Sequence, residues 1–498
     1  MMETRHPIIP DKGEFFMSSF SDCLKYHMDR RKMNTSELSR LSGIEYSFLH
    51  RITSGKRLPA KSQTVDLLAQ LLSLSTEERD DLHIQFEIAR VGESVFRRRK
   101  AVQQMLHNLS CAQERVCFLP PPTEAPLPAA CSGRLQVEAL ACQIAAREAA
   151  CPNGRLRLIA QPGRKEEFPL QTLQSIVSGA PALEIDHILC FDNRSEMEAQ
   201  NVALFTPLLS LLFSSVHYHP FYFYSDQDTL FGDLSLFPNL LLSSRHALLI
   251  SPDYASALCF EGDTPCFQLL NNRFQHCFGN CYPLSHISRE FPSLQTYLSF
   301  PTSAGEDPDL TFFLSHSFFL LPFLTEELCH SMLRPDLPDR EALIRTILDY
   351  TSNCRSLRQD STCFLAAPEG LRDFLDTGLI PELPSHLTRP LPMAQRVLLV
   401  RRFLESLSAV HNPDCGLHFY DADHLAFSPV LHCICRQNLS QAALMLSHPK
   451  SGLITATILE PMISAAVADY FHALLDSPSV YSFKESLEKS KKIISEYQ

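Results

Sequence analysis

Asn34-Thr35-Ser36-Glu37-Leu38-Ser39-Arg40-Leu41-Ser42-Gly43-Ile44-Glu45-Tyr46-Ser47-Phe48-Leu49-His50-Arg51-Ile52-Thr53-Ser54-Gly55-Lys56-Arg57-Leu58-Pro59 alternates helix-start and helix-stop signals. Asn34 to Glu37 is polar cap chemistry just ahead of Leu38 and Leu41, and it opens a short helix. Ser42-Gly43-Ile44 breaks that helix, because Gly adopts the positive φ at which helices end. A second helix runs over 45–53, and Ser54-Gly55-Lys56-Arg57-Leu58-Pro59 stops it. Within it Glu45, Phe48, Leu49 and Ile52 recur at i, i+3, i+4 and i+7, three of them apolar. Tyr46, Ser47, His50 and Arg51 fill the opposite stripe and all hydrogen-bond. One face anchors the helix and the other presents donors and acceptors outward. Ser39 is small where the two helices must cross. Phe20, Leu24, Tyr26 and Met28 place a helix before this pair, and Leu67, Leu68, Leu71 and Leu72 one after it, over 64–73. Two short helices joined by a tight Gly turn inside an all-helical bundle form a helix-turn-helix arrangement.

Charge separates this end from the rest. The 498 residues carry a formal net charge of −12. Residues 20–62 hold nine Lys and Arg against four Asp and Glu, a balance of +5 that leaves −17 elsewhere. A basic head on an acidic body is the asymmetry of a DNA-binding module attached to a larger unit. The hydrophobic fraction, 45%, excludes disorder along the whole chain, and the length favours several folded units.

On Glu37-Leu38-Ser39, Ser42-Gly43-Ile44 and Arg51 to Pro59, residues 18–75 resemble the helix-turn-helix domain of the Cro and phage-repressor (XRE) family. The resemblance implies base reading by Tyr46, Ser47 and Arg51. It places Thr35 where the family often has Gln, and Glu45 where it usually has a small polar cap, an anion facing phosphates. Arg51 suits the acceptor pair of guanine. Lys56 and Arg57 suit phosphate, with Lys61 assisting. Ser36 and His50 complete the expected DNA-binding set of Thr35, Ser36, Tyr46, Ser47, His50, Arg51, Lys56 and Arg57.

Residues 76–110 read as a helical connector. Its run Arg97-Arg98-Arg99-Lys100 suits either phosphate contact or a solvated helix face. Pro120-Pro121-Pro122, Pro126 and Pro128 make 111–133 a Pro-rich linker. Beyond it, strands and helices alternate. Strands are expected at 156–160, 185–191, 218–224, 237–242, 247–251 and 257–260. Helices are expected at 167–177, 196–214 and 265–281. Downstream, strands at 363–366, 417–420, 430–436, 442–447 and 452–458 accompany helices at 370–376, 393–410 and 461–475. The run 312–324 reads as a buried core segment. An α/β body with a mixed sheet follows, divided into halves at 134–285 and 286–498. The shared order strand, turn, strand, strand, helix reads as a degenerate duplication, and it resembles two phospholipase D-like halves. That family's active strand carries a His and a Lys two residues apart. Leu236-Phe237-Pro238-Asn239 and Leu425-Ala426-Phe427-Ser428 carry neither, so the resemblance implies an inactive relative.

Other chemistry is sparse. Sixteen Gly supply no phosphate loop, and neither G-x-S-x-G nor H-E-x-x-H occurs. Cys277 with Cys281, His432-Cys433 with Cys435, and His217 with His219 lack the paired spacing of a zinc site. Asp307-Pro308-Asp309 and Asp421-Ala422-Asp423 read as turn chemistry, and Phe221-Tyr222-Phe223-Tyr224 as sheet core more than pocket. The expectation is therefore a cytoplasmic, sequence-specific transcriptional regulator that binds double-stranded DNA as a homodimer. It is expected to be without membrane segment, metal, cofactor or catalytic residue, and not to be an enzyme. Its body would sense a small-molecule or peptide effector, or mediate assembly. The alternative is a nucleic-acid-processing enzyme targeted to DNA by the head.

Overall fold

The computed structural model describes residues 16–110, 119–162, 168–214, 217–226, 236–288, 310–354, 362–380, 382–383, 385–407, 410, 412, 414–436, 442–448 and 452–497. The chain divides into two units between Lys100 and Ala101.

Helices α1 (Phe16–Arg30), α2 (Thr35–Ser42), α3 (Tyr46–Thr53), α4 (Ser62–Leu71) and α5 (Thr76–Val91) build the first unit. Local chemistry sets their ends. Asn34 accepts from the Glu37 N–H at the start of α2, and Gly43 at φ 70° closes it by donating to Ser39. At α5 the Ser75 hydroxyl and the Glu78 carboxylate satisfy each other's backbone N–H groups as a capping box. Phe20, Leu24, Leu38, Leu49, Ile52, Val65, Leu68, Leu82 and Phe86 share one apolar core. Phe20 and Phe86 meet edge to face at 5.6 Å, so α5 belongs to the bundle and is more than a connector.

Helix α6 (Glu93–Ser110) runs into the second unit, where Val102, Met105, Leu106 and Leu109 join the body's core. There the chain forms β1 (Ala130–Ser132), α7 (Arg134–Ala149), β2 (Arg155–Ile159), α8 (Phe168–Gly179) and β3 (Glu184–Phe191). Then come α9 (Glu198–Phe205), α10 (Leu208–Ser214), β4 (Tyr218–Tyr224), β5 (Asn239–Leu242), β6 (His246–Ile250), β7 (Ser256–Glu261) and α11 (Pro265–Phe278). β8 (Tyr282–Pro283) and β9 (Ser285–Ser288) lead to β10 (Thr311–Ser315), α12 (Glu326–Met332), α13 (Arg340–Cys354) and β11 (Thr362–Ala366). The chain ends with α14 (Pro368–Thr377), α15 (Met393–Ser406), β12 (Gly416–Phe419), α16 (Ala422–Leu425), β13 (Leu431–Arg436), β14 (Ala442–His448), β15 (Gly452–Ile458), α17 (Pro461–Leu475) and α18 (Phe483–Ser495).

The body is mixed α/β with two mixed sheets. One has the order β1-β7-β6-β5-β2-β3-β4-β8 and the other β12-β11-β10-β13-β14-β15-β9. In the first, β2, β3 and β4 are parallel, and β5, β6 and β7 continue antiparallel from β2. In the second, β10, β11 and β12 are parallel, and β13, β14 and β15 continue antiparallel from β10. The six-strand order is therefore the same in both, with helices α11 and α17 following the last strand of each. Alternation along β10 sends Phe312 and Leu314 into a core that both sheets share, and Phe313 into a separate core of the second sheet.

The segment 282–288 belongs to both sheets. β8 pairs with β4 and β9 with β15. Between them, the fully buried Leu284 donates its N–H to Pro220 and accepts from the Leu459 N–H, both at 2.9 Å. Tyr224 at the end of β4 donates to Glu460, which also caps α17 by accepting from the Ile463 N–H at 2.6 Å. Burial raises the Glu460 carboxyl above the usual carboxylate range.

Several expectations change here. The helix expected over 196–214 is two helices, α9 and α10, parted at Thr206-Pro207, because Pro lacks the N–H and crowds the preceding turn. Residues 312–324 open with strand β10, whose lack of alternation follows from burial on both faces. Part of the Pro-rich stretch is built into the body: β1 pairs with β7, and Arg147 of α7 donates to the Ala125 carbonyl. Residues 111–118 lie outside the described residues. Leu425 ends the one-turn α16, and Ala426 sits at φ 41°, so 425–428 is no strand.

Candidate nucleic-acid interface

Helix α3 sorts its side chains by exposure. Leu49 and Ile52 are fully buried, and Phe48 is half-buried against them. Tyr46, Ser47, His50 and Arg51 are exposed, as are Lys56 and Arg57 in the turn that follows. The turn entering α3 is fixed by polar contacts: the Ser39 hydroxyl donates to the Ile44 carbonyl at 2.6 Å, and the Ile44 N–H donates to Ser42 at 3.2 Å. Ser39 thus serves as a hydrogen-bonding clamp as well as a small residue.

The exposed stripe is internally connected. The Tyr46 and His50 rings lie 6.0 Å apart, and the Arg51 guanidinium folds back to donate to the Ser47 carbonyl at 3.3 Å. The Ser47 hydroxyl donates to the Glu45 carboxylate at 2.5 Å, so Glu45 makes no side-chain cap and instead occupies one expected base-reading group. The Arg57 guanidinium stands 4.8 Å over the Phe48 ring, a cation–π contact that aims it beside α3. The N–H groups of Lys56 and Arg57 both donate to the Arg51 carbonyl. Thr35 and Ser36 open α2 and share no hydrogen bond with α3 among the described residues. Not all the basic charge faces this way: Arg30 and Arg31 pair with Glu78 at 2.6 and 3.0 Å, tying α1 to α5. Arg97 pairs with Glu93 within α6.

The body's polar pairs resolve mostly into structural roles. His217 and His219 bracket Glu184 at 2.7 and 2.8 Å. Burial opposes the Glu184 charge, but the two imidazoles outweigh it and hold the carboxyl below its usual range. Cys281 donates to the Cys277 carbonyl, one helical turn back. Cys433 and Cys435 are buried on the shared-core side of β13. Asp421 caps α16 by accepting from the Asp423 N–H at 3.0 Å. Phe221 packs on Phe278, and Tyr222 on Phe191. Asp307 and Asp309 lie outside the described residues, among which no cluster of three His, Cys, Asp or Glu side chains suits a metal. No helix among them is long and apolar enough to cross a membrane.

Two arrangements escape sequence reading. His187, fully buried on β3, donates through Nε2 to the Ala160 carbonyl at 2.9 Å, and its Nδ1 lies 2.7 Å from the Tyr218 hydroxyl. His432, fully buried on β13, links Ser315 at 2.9 Å to Ser447 at 2.8 Å. Burial pushes both imidazoles down to about 4, so both stay neutral near pH 7. A Ser–His–Ser chain has the connectivity of an activated hydroxyl, although a histidine this weakly basic draws a proton poorly. Partners on other strands, far away in sequence, define both sites, and no local spacing marks them.

No family model matches the chain, and no curated protein matches it. Among solved structures, it is similar to the polyphosphate kinase from Porphyromonas gingivalis, at 9% identity with a TM-score of 0.21, over 70% of this chain and 46% of the kinase. The chain thus spans less than half the length of that kinase, and a likeness this slight carries no argument about fold. No comparison supports the XRE resemblance or DNA-binding regulation. The expectation that the chain is not an enzyme is not upheld: the solved structure it is similar to is a kinase, and a match at this TM-score assigns no activity to this chain in either direction.

Proposed function

We propose that the first unit reads double-stranded DNA and that the chain acts there as a transcriptional regulator, in the manner of the XRE family. The observation that carries this reading is the exposed stripe of Tyr46, Ser47, His50 and Arg51 on a helix whose opposite face is buried. In this reading α3 enters the major groove. Arg51 exchanges its contact with the Ser47 carbonyl for the O6 and N7 acceptors of guanine. Lys56 and Arg57 meet phosphate, Arg57 already held in place by Phe48. Glu45 restrains the Ser47 hydroxyl and repels phosphate, so Ser47 contributes less than Arg51. One small head binds weakly, so the body pairs two chains, and the heads read half-sites about one helical turn apart. A small-molecule or peptide effector acts by binding one head-to-head geometry more tightly than another.

Fluorescence anisotropy on a duplex chosen by genome-wide site mapping tests the reading. Arg51→Ala is expected to weaken specific binding by roughly 10- to 100-fold, and affinity is expected to fall steeply with salt. A complex indifferent to both salt and Arg51→Ala overturns it.

A second reading, a nucleic-acid-processing enzyme targeted by the head, draws on the Ser315–His432–Ser447 chain. Its assay is turnover of single- and double-stranded substrates with and without divalent metal. Robust turnover lost in His432→Gln displaces the regulator reading.

A further inference from the structure

In open α/β sheets, ligands sit beyond the carboxyl ends of the parallel strands. The second sheet has a cleft of about 500 Å³ there, at the ends of β11 and β12, whose lining includes Tyr420, Tyr481 and charged side chains of both signs. That volume suits a small molecule. Tyr420 lines the cleft: the residue is 1% exposed, and its hydroxyl has no hydrogen-bond partner among the described residues. A buried hydroxyl left unsatisfied is costly, and a ligand oxygen or nitrogen in the cleft relieves that cost.

The lining carries charges of both signs. Asp421 and Asp423 follow β12, Glu369 and Arg372 both lie on α14 after β11, and Lys489 and Lys492 come from α18. Part of this charge is already used. Asp421 caps α16 and lies 2.9 Å from His424, while Arg372 pairs with Glu496. Lys489 holds its ammonium 4.1 Å over the Tyr481 ring, which fixes its position while leaving its charge. Glu369 and Asp423 line the same cleft as Lys489 and Lys492, with Glu496 also near Lys492. In a lining of mixed sign a simple anion or cation meets repulsion as well as attraction, whereas a molecule with both charges finds a partner for each.

We infer that this cleft binds a small zwitterion, with its anionic group toward Lys489 and Lys492 and its ammonium toward Glu369 and Asp423. Tyr420 contributes the buried hydrogen bond. The inference deepens the regulator reading by naming the chemical class of its effector.

Calorimetry on the full chain tests it with three alanine tripeptides: free-ended, N-acetylated and C-amidated. The free-ended peptide is expected to bind with saturation below roughly 1 mM, and each blocked form about tenfold more weakly. Lys492→Ala weakens the free-ended and acetylated peptides about fivefold and leaves the amidated one unchanged. Tyr420→Phe weakens the free-ended peptide about tenfold while raising the melting temperature of the unliganded chain. Absence of saturable heat, equal binding of all three peptides, or unchanged affinity in Tyr420→Phe overturns the inference. No DNA enters these measurements. Peptide binding retained in a chain that fails to bind DNA overturns only the regulator reading, and the converse only this one.

Discussion

The two sheets of the body share a six-strand order and differ at the ends of their parallel strands. In the first, side chains close the edge. The Asn201 amide both donates to and accepts from the Asp192 backbone at the end of β3, and the Gln161 amide does the same for Cys190. In the second, backbone packs directly on backbone. A Cβ on Gly370, in the first turn of α14, would fall 1.9 Å from the His316 carbonyl oxygen. The edge beside it stays open as the cleft under Tyr420. The same scaffold is sealed once by amides and left concave once, so strand order alone does not decide where a ligand fits.

That contrast breaks most readily at Gly370. Gly370→Ala is expected to cost at least about 3 kcal/mol in urea unfolding, because backbone atoms cannot step aside. Asn201→Ala, which leaves a buried N–H and carbonyl unpaired, is expected to cost about 2 kcal/mol. A larger loss for Asn201→Ala than for Gly370→Ala would reverse the contrast between sealed and packed edges.

The buried histidines give the next largest effect. His187 and His432 fall from an ordinary value of 6.5 to about 4 on folding, so the unfolded chain takes up protons first as pH drops. The stability they confer is full above about pH 6.5 and is lost toward pH 4. Between pH 7 and pH 5 each contributes about 2 kcal/mol of that loss. Unfolding curves at the two pH values for His187→Gln and His432→Gln are each expected to recover about half of it. Recovery by only one variant would show that the two halves diverge in their interiors as well as at their edges.

The smallest effect concerns how each histidine is wired. Tyr218→Phe in the first half and Ser315→Ala in the second each remove one hydrogen bond from an imidazole. Each is expected to cost about 1 kcal/mol by thermal unfolding at pH 7.

Legibility in the sequence followed the range of the interactions. Asn34, Gly43 and the Leu49/Ile52 stripe act within a few residues, so the bundle and the outward face of α3 were readable. The repeated order of β5 to β7 and β13 to β15 was readable because strands, turns and closing helices follow one another closely. β10 was hidden because burial on both faces erases alternation, and the split at Pro207 because the apolar run continues across it. Glu45 and Ser47 lie two residues apart, yet only their rotamers show that they are joined. The cleft gathers residues from 368 to 493, and no local pattern connects Tyr420 to Lys492.

The segment 282–288 carries one more consequence. It covers the edge of β4 through β8 and the edge of β15 through β9. A chain severed after Gly279 leaves an amino-terminal fragment whose aromatic β4, Tyr218–Tyr224, presents bare N–H and C=O groups along an apolar rim. Such a rim recruits strands from other molecules. The seven residues therefore cover two sheet edges at once, and a cut beside them is expected to turn a covered edge into a site of association.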